Sequence, residues 1–190
     1  MNAKRNLSLL LVITGLIGMV ASVTLIVERI HLLQDPDYVP MCNISDALDC
    51  ASVMTTPQAA VFGIPNAFLG IVGFSVVLTI GMAMLAGATF EGWFWGGLQI
   101  GVTFAFMFIH WLMYQTLYKI VALCLYCMIV WAVTGPLFWY VTIRNLGAFD
   151  DPDVDEPGLL TDTAISRFHW VVPIAWYAIV AGIVINTFWI

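Results

Sequence analysis

The sequence predicts an all-α integral membrane protein, a single domain over residues 1–190 carried by five transmembrane helices. Two observations support this. Of 190 residues, 62% are hydrophobic and only 9% charged, more apolar surface than a soluble domain of this size can hide. The apolar residues also fall into five runs of about twenty, the length an α-helix needs to cross a bilayer. The net charge is −6, and no basic patch is present to neutralise phosphates, which excludes nucleic acid as a partner.

The first span is expected over residues 7–29, after a short basic flank with Lys4 and Arg5. It is long enough to cross and lacks a small-residue cleavage site, so it reads as a span, not a signal peptide. Glu28 and Arg29 mark its outer boundary. The loop 30–64 is polar, holds Asp35, Asp37, Asp49, Cys42 and Cys50, and ends in a mildly apolar approach too short to cross. The second span is read over 65–87, with Pro65 at a tolerated first-turn position. Glu91 and Gly92 turn the chain into a third span, 93–114, followed by a short polar exit to Ile120 that carries Lys119. The fourth span, 121–143, contains Pro136, which is expected to kink it. Residues 144–168 form an acidic loop, dense between Asp150 and Asp162, and the fifth span covers 170–188.

Five spans put the termini on opposite sides. Lys4, Arg5, Arg144 and Arg167 share one side, and Arg29 and Lys119 the other. The positive-inside rule then places the N-terminus in the cytoplasm, and acidic residues weigh little in it. The cysteine loop and the start of the fourth span fall outside, where disulfides persist. Trp93, Trp95, Trp111, Tyr114, Tyr118, Trp139, Tyr140 and Trp170 lie near span ends and read as an aromatic belt. His110 lies within the third span, where it packs as a neutral ring or serves a function.

Chemistry concentrates in the four cysteines. Cys124-Leu125-Tyr126-Cys127 opens the fourth apolar run. Thiols spaced i, i+3 share a helix face, and a helix N-terminus stabilises a thiolate. Zinc would use four such ligands, but Cys42 and Cys50 are widely spaced and the surroundings are lipid-facing. A c-type haem needs a histidine after the second cysteine, and Met128 stands there. A structural disulfide within one helical turn closes a tiny loop and adds little stability. Redox exchange explains the arrangement better: the loop pair is open to a soluble protein, and the second pair lies at the membrane surface. Thiol–disulfide exchange moves two electrons between such pairs. If the electrons come from a strongly oxidising folding catalyst, the final acceptor must be more oxidising still, and a membrane quinone meets that need.

At this point the sequence resembles the vitamin K epoxide reductase family, specifically bacterial members that oxidise thioredoxin-like partners. The matching features are Cys42 and Cys50 with seven residues between them, Ser52 to Thr56 just after, the Phe62-Gly63-Ile64-Pro65-Asn66 stretch, and the Cys124–Cys127 motif opening a late span. The resemblance implies a four-helix bundle around a quinone plus a fifth peripheral transmembrane helix. It also implies an extracytoplasmic cysteine loop and a short amphipathic cap helix, to which Val53, Met54, Val61, Phe62 and Ile64 supply apolar surface. Cys127 is expected to face the quinone, Cys124 to exchange with Cys50, and Cys42 to meet the soluble partner first. Asn66 matches the asparagine that hydrogen-bonds a quinone carbonyl, and Thr56 a residue that fixes the cap. Met54, Phe62 and Trp131 complete the expected quinone contacts. Trp131 replaces a tyrosine of vertebrate members and so offers a different donor.

The implied cofactor is menaquinone or ubiquinone, and the implied location is the bacterial cytoplasmic (inner) membrane. Many bacterial relatives carry a fused thioredoxin-like domain after the fifth span. This sequence runs only to Ile190, so the expected partner is a separate thioredoxin-like protein of the DsbA type, with the chain itself a monomer in lipid. Two rival readings stand beside this one: a vitamin K epoxide or quinone reductase that mainly supplies quinol, and a non-enzymatic membrane scaffold with structural disulfides.

Overall fold

The architecture is that of a computed structural model, which describes residues 3–35, 37–45, 47–147 and 167–189. Most of the expected acidic loop, including Asp150 to Asp162, lies outside the described residues. Among those described, the chain is helical and carries five helices long and apolar enough to span a membrane. They are α1 (Ala3–Gln34), α3 (Asn66–Leu85), α4 (Gly92–Gln115), α5 (Leu125–Asn145) and α6 (Val171–Trp189). The short α2 (Cys50–Met54) and a 3-10 turn (Pro57–Ala60) lie between α1 and α3.

Small residues let α1 and α3 close on one another. A Cβ added at Gly15 would meet the Leu78 backbone nitrogen at 2.7 Å, and one at Gly18 would meet the Phe74 ring at 2.5 Å. The α3 glycines answer in kind: Gly70 faces Ser22 and Gly81 faces the backbone of Val12. In lipid, where burial gives no drive for helices to associate, this close packing is what holds them. α1 also packs on α5, and α5 on α4, around a core that includes Leu11, Val77, Trp95, Leu137 and Val141.

Helix α6 is attached differently. Its outer surface is almost wholly exposed to the lipid region, and it meets the bundle through α5. Gly135 leaves the space that Trp176 fills, and the Trp176 indole donates to Nε2 of His110 at 3.0 Å. That fixes the His110 tautomer, since Nδ1 lies 2.7 Å from the Phe106 carbonyl and must donate to it. His110 is a latch between α4 and α6.

Two boundaries differ from the sequence reading. The first helix does not stop near Arg29 but continues to Gln34, so Glu28 and Arg29 are not its outer boundary. At 1.5 Å per residue its 32 residues reach roughly 48 Å, longer than a bilayer core. The fourth helix does not begin at Val121. Beyond α4 the chain tightens into a π-type turn, Thr116–Ile120, closed by Val121 N–H to the Thr116 carbonyl at 2.9 Å. Val121 adopts φ 55°, a left-handed conformation rare for a β-branched residue. The chain then runs extended to Cys124, pairing Leu123 with Leu48 in a parallel bridge, and only at Leu125 does α5 begin. Lys119 is exposed at this turn.

Candidate redox site and quinone cavity

The loop cysteines are held by a polar clasp. Asp49 caps α2, accepting from Ser52 N–H at 3.1 Å and from the Ser52 hydroxyl. Asn43 donates to Asp49 at 2.7 Å and accepts from Ala51 N–H at 3.2 Å. Burial pushes the Asp49 carboxyl up, but the Ser52, Asn43 and Ala51 donors together outweigh it and hold the group below its ordinary value. This clasp brings Cys42 and Cys50 within 5.8 Å, Cα to Cα, and they form a disulfide. Both are buried.

The second pair meets the first because the extended strand docks on the loop. Leu123 N–H donates to the Ala47 carbonyl at 2.8 Å. Cys124, the residue capping α5, then joins Cys42, Cys50, Val53 and Met54 in one packed cluster, with Cys127 against its edge. All four sulfurs therefore belong to one cluster at one end of the bundle. Cys124 and Cys127 are free thiols, the first fully buried and the second partly open. The Cys127 thiol facing Cys124 lowers the Cys124 pKa, burial opposes this, and the Cys127 and Tyr126 N–H groups add to the lowering.

Inside the four helices α1, α3, α4 and α5 lies a cavity of about 670 Å³. One end is roofed by α2 and the 3-10 turn, through Val53, Met54, Thr56, Gln58 and Ala59. Cys127 lines it and Cys124 does not. Along α3 it runs from Asn66 to Ile80, roughly 21 Å at the helical rise. The walls there are apolar, and Gly73, Gly97 and Gly101 leave their side-chain positions open. Helix α6 contributes nothing to the wall.

The expected quinone contacts distribute unevenly. Met54 and Trp131 are buried and line the cavity. Thr56 lines it as well, its hydroxyl donating to the Val53 carbonyl at 2.8 Å, which folds the cap onto itself. Asn66 lines it while bracing the cap: its amide donates to the Gln58 carbonyl at 2.7 Å and accepts from Val61 N–H at 3.1 Å. One amide hydrogen of Asn66 is left for a ligand. Phe62 is a correction. It is 56% exposed and off the cavity wall, its ring 5.9 Å from Phe108, because the chain turns at Gly63 with φ 77°. Val61 and Ile64 are exposed too, so only Val53 and Met54 of the expected apolar cap face inward.

The structure adds residues the sequence reading passed over. Arg29 lines the cavity mouth and donates to the Ala59 carbonyl at 3.4 Å. Glu28 is 4% exposed and accepts from the Tyr38 hydroxyl at 2.8 Å. That bond raises the Tyr38 pKa, chiefly by tying up the hydroxyl proton. The available signal was the charged pair Glu28-Arg29 inside an apolar run. At the opposite end Trp93 is 79% exposed and lines the cavity, whereas Trp95 is buried with the Arg144 guanidinium 4.0 Å above its ring. Among the described residues no cluster of ligands fit for a metal ion is found.

A vitamin K epoxide reductase family model matches residues 9–142, which takes in every cysteine and the four helices around the cavity. The chain belongs to the vitamin K epoxide reductase family. With five apolar helices, it is a multi-pass membrane oxidoreductase. No curated protein matches it. Members of this family use quinones. The cavity fits such a ring: Cys127, Asn66 and Thr56 stand at one end and an apolar channel leads away for a hydrocarbon tail.

Proposed function

We propose that this family member generates disulfides for secreted proteins: it takes electrons from a separate thioredoxin-like, DsbA-type protein and passes them to a membrane quinone. The observation that carries the reading is the division of the cysteines. Cys42 and Cys50 are joined in the loop, Cys124 packs in one cluster with them, and of the second pair Cys127 alone lines the cavity.

The partner's thiols reduce the Cys42–Cys50 disulfide, with Cys42 exchanging first. Val39, Met41 and Ile44 around it are 67%, 77% and 66% exposed, an apolar rim for a partner to cover. Cys50 next reduces the Cys124–Cys127 disulfide by attack on Cys124, and Cys42 resolves the mixed disulfide, releasing Cys124, whose thiol sits below its ordinary pKa and so leaves readily. Cys127 then delivers the electron pair to the cavity. A quinone bound there, menaquinone or ubiquinone, accepts two electrons and two protons. Asn66 presents its spare N–H to an oxygen that gains charge, and the cap excludes water. The setting proposed is the bacterial cytoplasmic membrane, with the cysteine loop outside and the N-terminus in the cytoplasm. Lys4, Arg5, Arg144 and Arg167 at the opposite end support this orientation.

The test is Cys127→Ala in the reconstituted protein, supplied with reduced partner and ubiquinone-1. Quinone reduction should cease while the Cys42–Cys50 disulfide still exchanges with the partner. Undiminished quinone reduction would remove Cys127 from the route.

A further inference from the structure

Oxidising Cys124 and Cys127 breaks two S–H bonds, forms one S–S bond and releases two protons with the electron pair. Cys124 is buried, its neighbours in the cluster are almost all apolar, and it does not touch the cavity. Its proton needs a polar way out. Glu28 is the one Asp, Glu, Lys or Arg side chain buried among the described residues. It sits on α1 between Leu25 and Leu32, spaced three and four residues away, and both of those pack into the cysteine cluster. Positions so spaced share a helix face, so Glu28 lies on the face of α1 that packs toward the cysteine cluster. Its other contact runs outward: Tyr38, half-buried on the loop, donates to it at 2.8 Å, and the ring of exposed His31 lies 5.0 Å from Tyr38. Tyr126 packs at the cluster's margin, within electrostatic reach of both Glu28 and Cys124. Arg29, the neighbouring cation, is turned to the Ala59 carbonyl at the cavity mouth.

We infer that Glu28 is the proton acceptor for the buried cysteine pair, linked to Cys124 by the Tyr126 hydroxyl and to solvent by Tyr38. The inference rests on the redox reading of that pair. The Cys124 proton moves by way of Tyr126 to the Glu28 carboxylate, leaving a Cys124 thiolate and a neutral Glu28. The thiolate forms the S–S bond with Cys127 as the electron pair passes to the oxidant. Glu28 returns its proton to water at Tyr38. With a quinone as oxidant, the Cys127 proton and one from the medium complete the quinol.

Glu28→Gln separates this role from a structural one, because the amide oxygen still accepts from Tyr38 but holds no transferable proton at neutral pH. The full-length protein, with Cys124 and Cys127 reduced, is mixed with ubiquinone-1 or, in a second arm, with glutathione disulfide, which needs no cavity. In both arms Glu28→Gln should oxidise about 10-fold or more slowly below neutral pH, the scale of a lost general base. The deficit should shrink as pH rises and the thiol ionises unaided, and Glu28→Asp should restore part of the rate. An unchanged rate, or a deficit of the same size at every pH, overturns the inference. If ubiquinone-1 fails with the unsubstituted protein while the glutathione arm shows the pH-dependent deficit, the quinone reading falls and the relay stands. If Glu28→Gln does not assemble with its Cys42–Cys50 disulfide, Tyr38→Phe decides: a deficit that closes with rising pH supports the relay, and an unchanged profile overturns it.

Discussion

Replacing Asn66 by alanine tests whether the cavity's polar end is built by the cap or only by side chains in its wall. Asn66 makes two hydrogen bonds across the gap between the start of α3 and the 3-10 turn, at 2.7 Å and 3.1 Å. At about 1 kcal/mol net for each, alanine removes about 2 kcal/mol from the closed cap. The cap's other ties are the Thr56–Val53 bond, the Ala59 N–H to Thr56 carbonyl bond at 3.0 Å and the long Arg29–Ala59 contact of 3.4 Å. A loss of about 2 kcal/mol multiplies the open population about 30-fold. Native-state hydrogen exchange reads this at the Val61 amide, which loses its acceptor, and at Gly63, which keeps its bond to the Ala60 carbonyl. Both amides should exchange faster, and the quinone KM should rise with the same variant. Asn66→Asp keeps the acceptor for Val61 but sets a carboxylate against the Gln58 carbonyl, so it should loosen the cap as well. Unchanged exchange at Gly63 with a raised KM would refute the reasoning. Asn66 would then act on the ligand alone.

Other perturbations test other parts of the structure. Gly15→Ala forces a methyl to within 2.7 Å of the α3 backbone and should cost about 1–3 kcal/mol, seen as a lower melting temperature in detergent. Gly97→Leu enters open space in the cavity wall, so melting should hold while quinone reduction is lost, and retained turnover would show that the ring binds elsewhere. Acid should loosen the cysteine loop through Asp49. Its folded pKa lies below the ordinary 3.8, so its contribution to stability is complete above that value and is lost as pH falls through the folded one. Asp49→Asn should abolish this dependence, measured as the rate at which a phosphine reduces Cys42–Cys50 between pH 5 and 3. Trp176→Phe removes the donor to His110 and should free α6 to protease while leaving quinone reduction intact.

The helices were legible in the sequence because lipid imposes one rule on every residue of a span, and apolar runs report it without tertiary knowledge. Their ends were not. Nothing in Val121-Ala122-Leu123 distinguishes an apolar extended strand from an apolar first turn; the strand exists because Leu123 finds the Ala47 carbonyl and Leu48 across the loop. The same blindness applies to side-chain direction in the cap. Met54 and Phe62 read alike as apolar residues beside the loop cysteines, yet a positive φ at Gly63 sends one outward and the clasp at Asp49 holds the other in.

Glu28 shows why the polar part of the site needed the fold. As a lone carboxylate at the end of a span it has an inexpensive reading, a side chain reaching for headgroups. That reading fails once α1 runs on for six more residues to Gln34 and buries Glu28 beneath the loop that carries Tyr38. Burying a carboxylate is costly unless its partners replace the water it loses. A single hydroxyl donor at 2.8 Å is a thin compensation for a permanent charge.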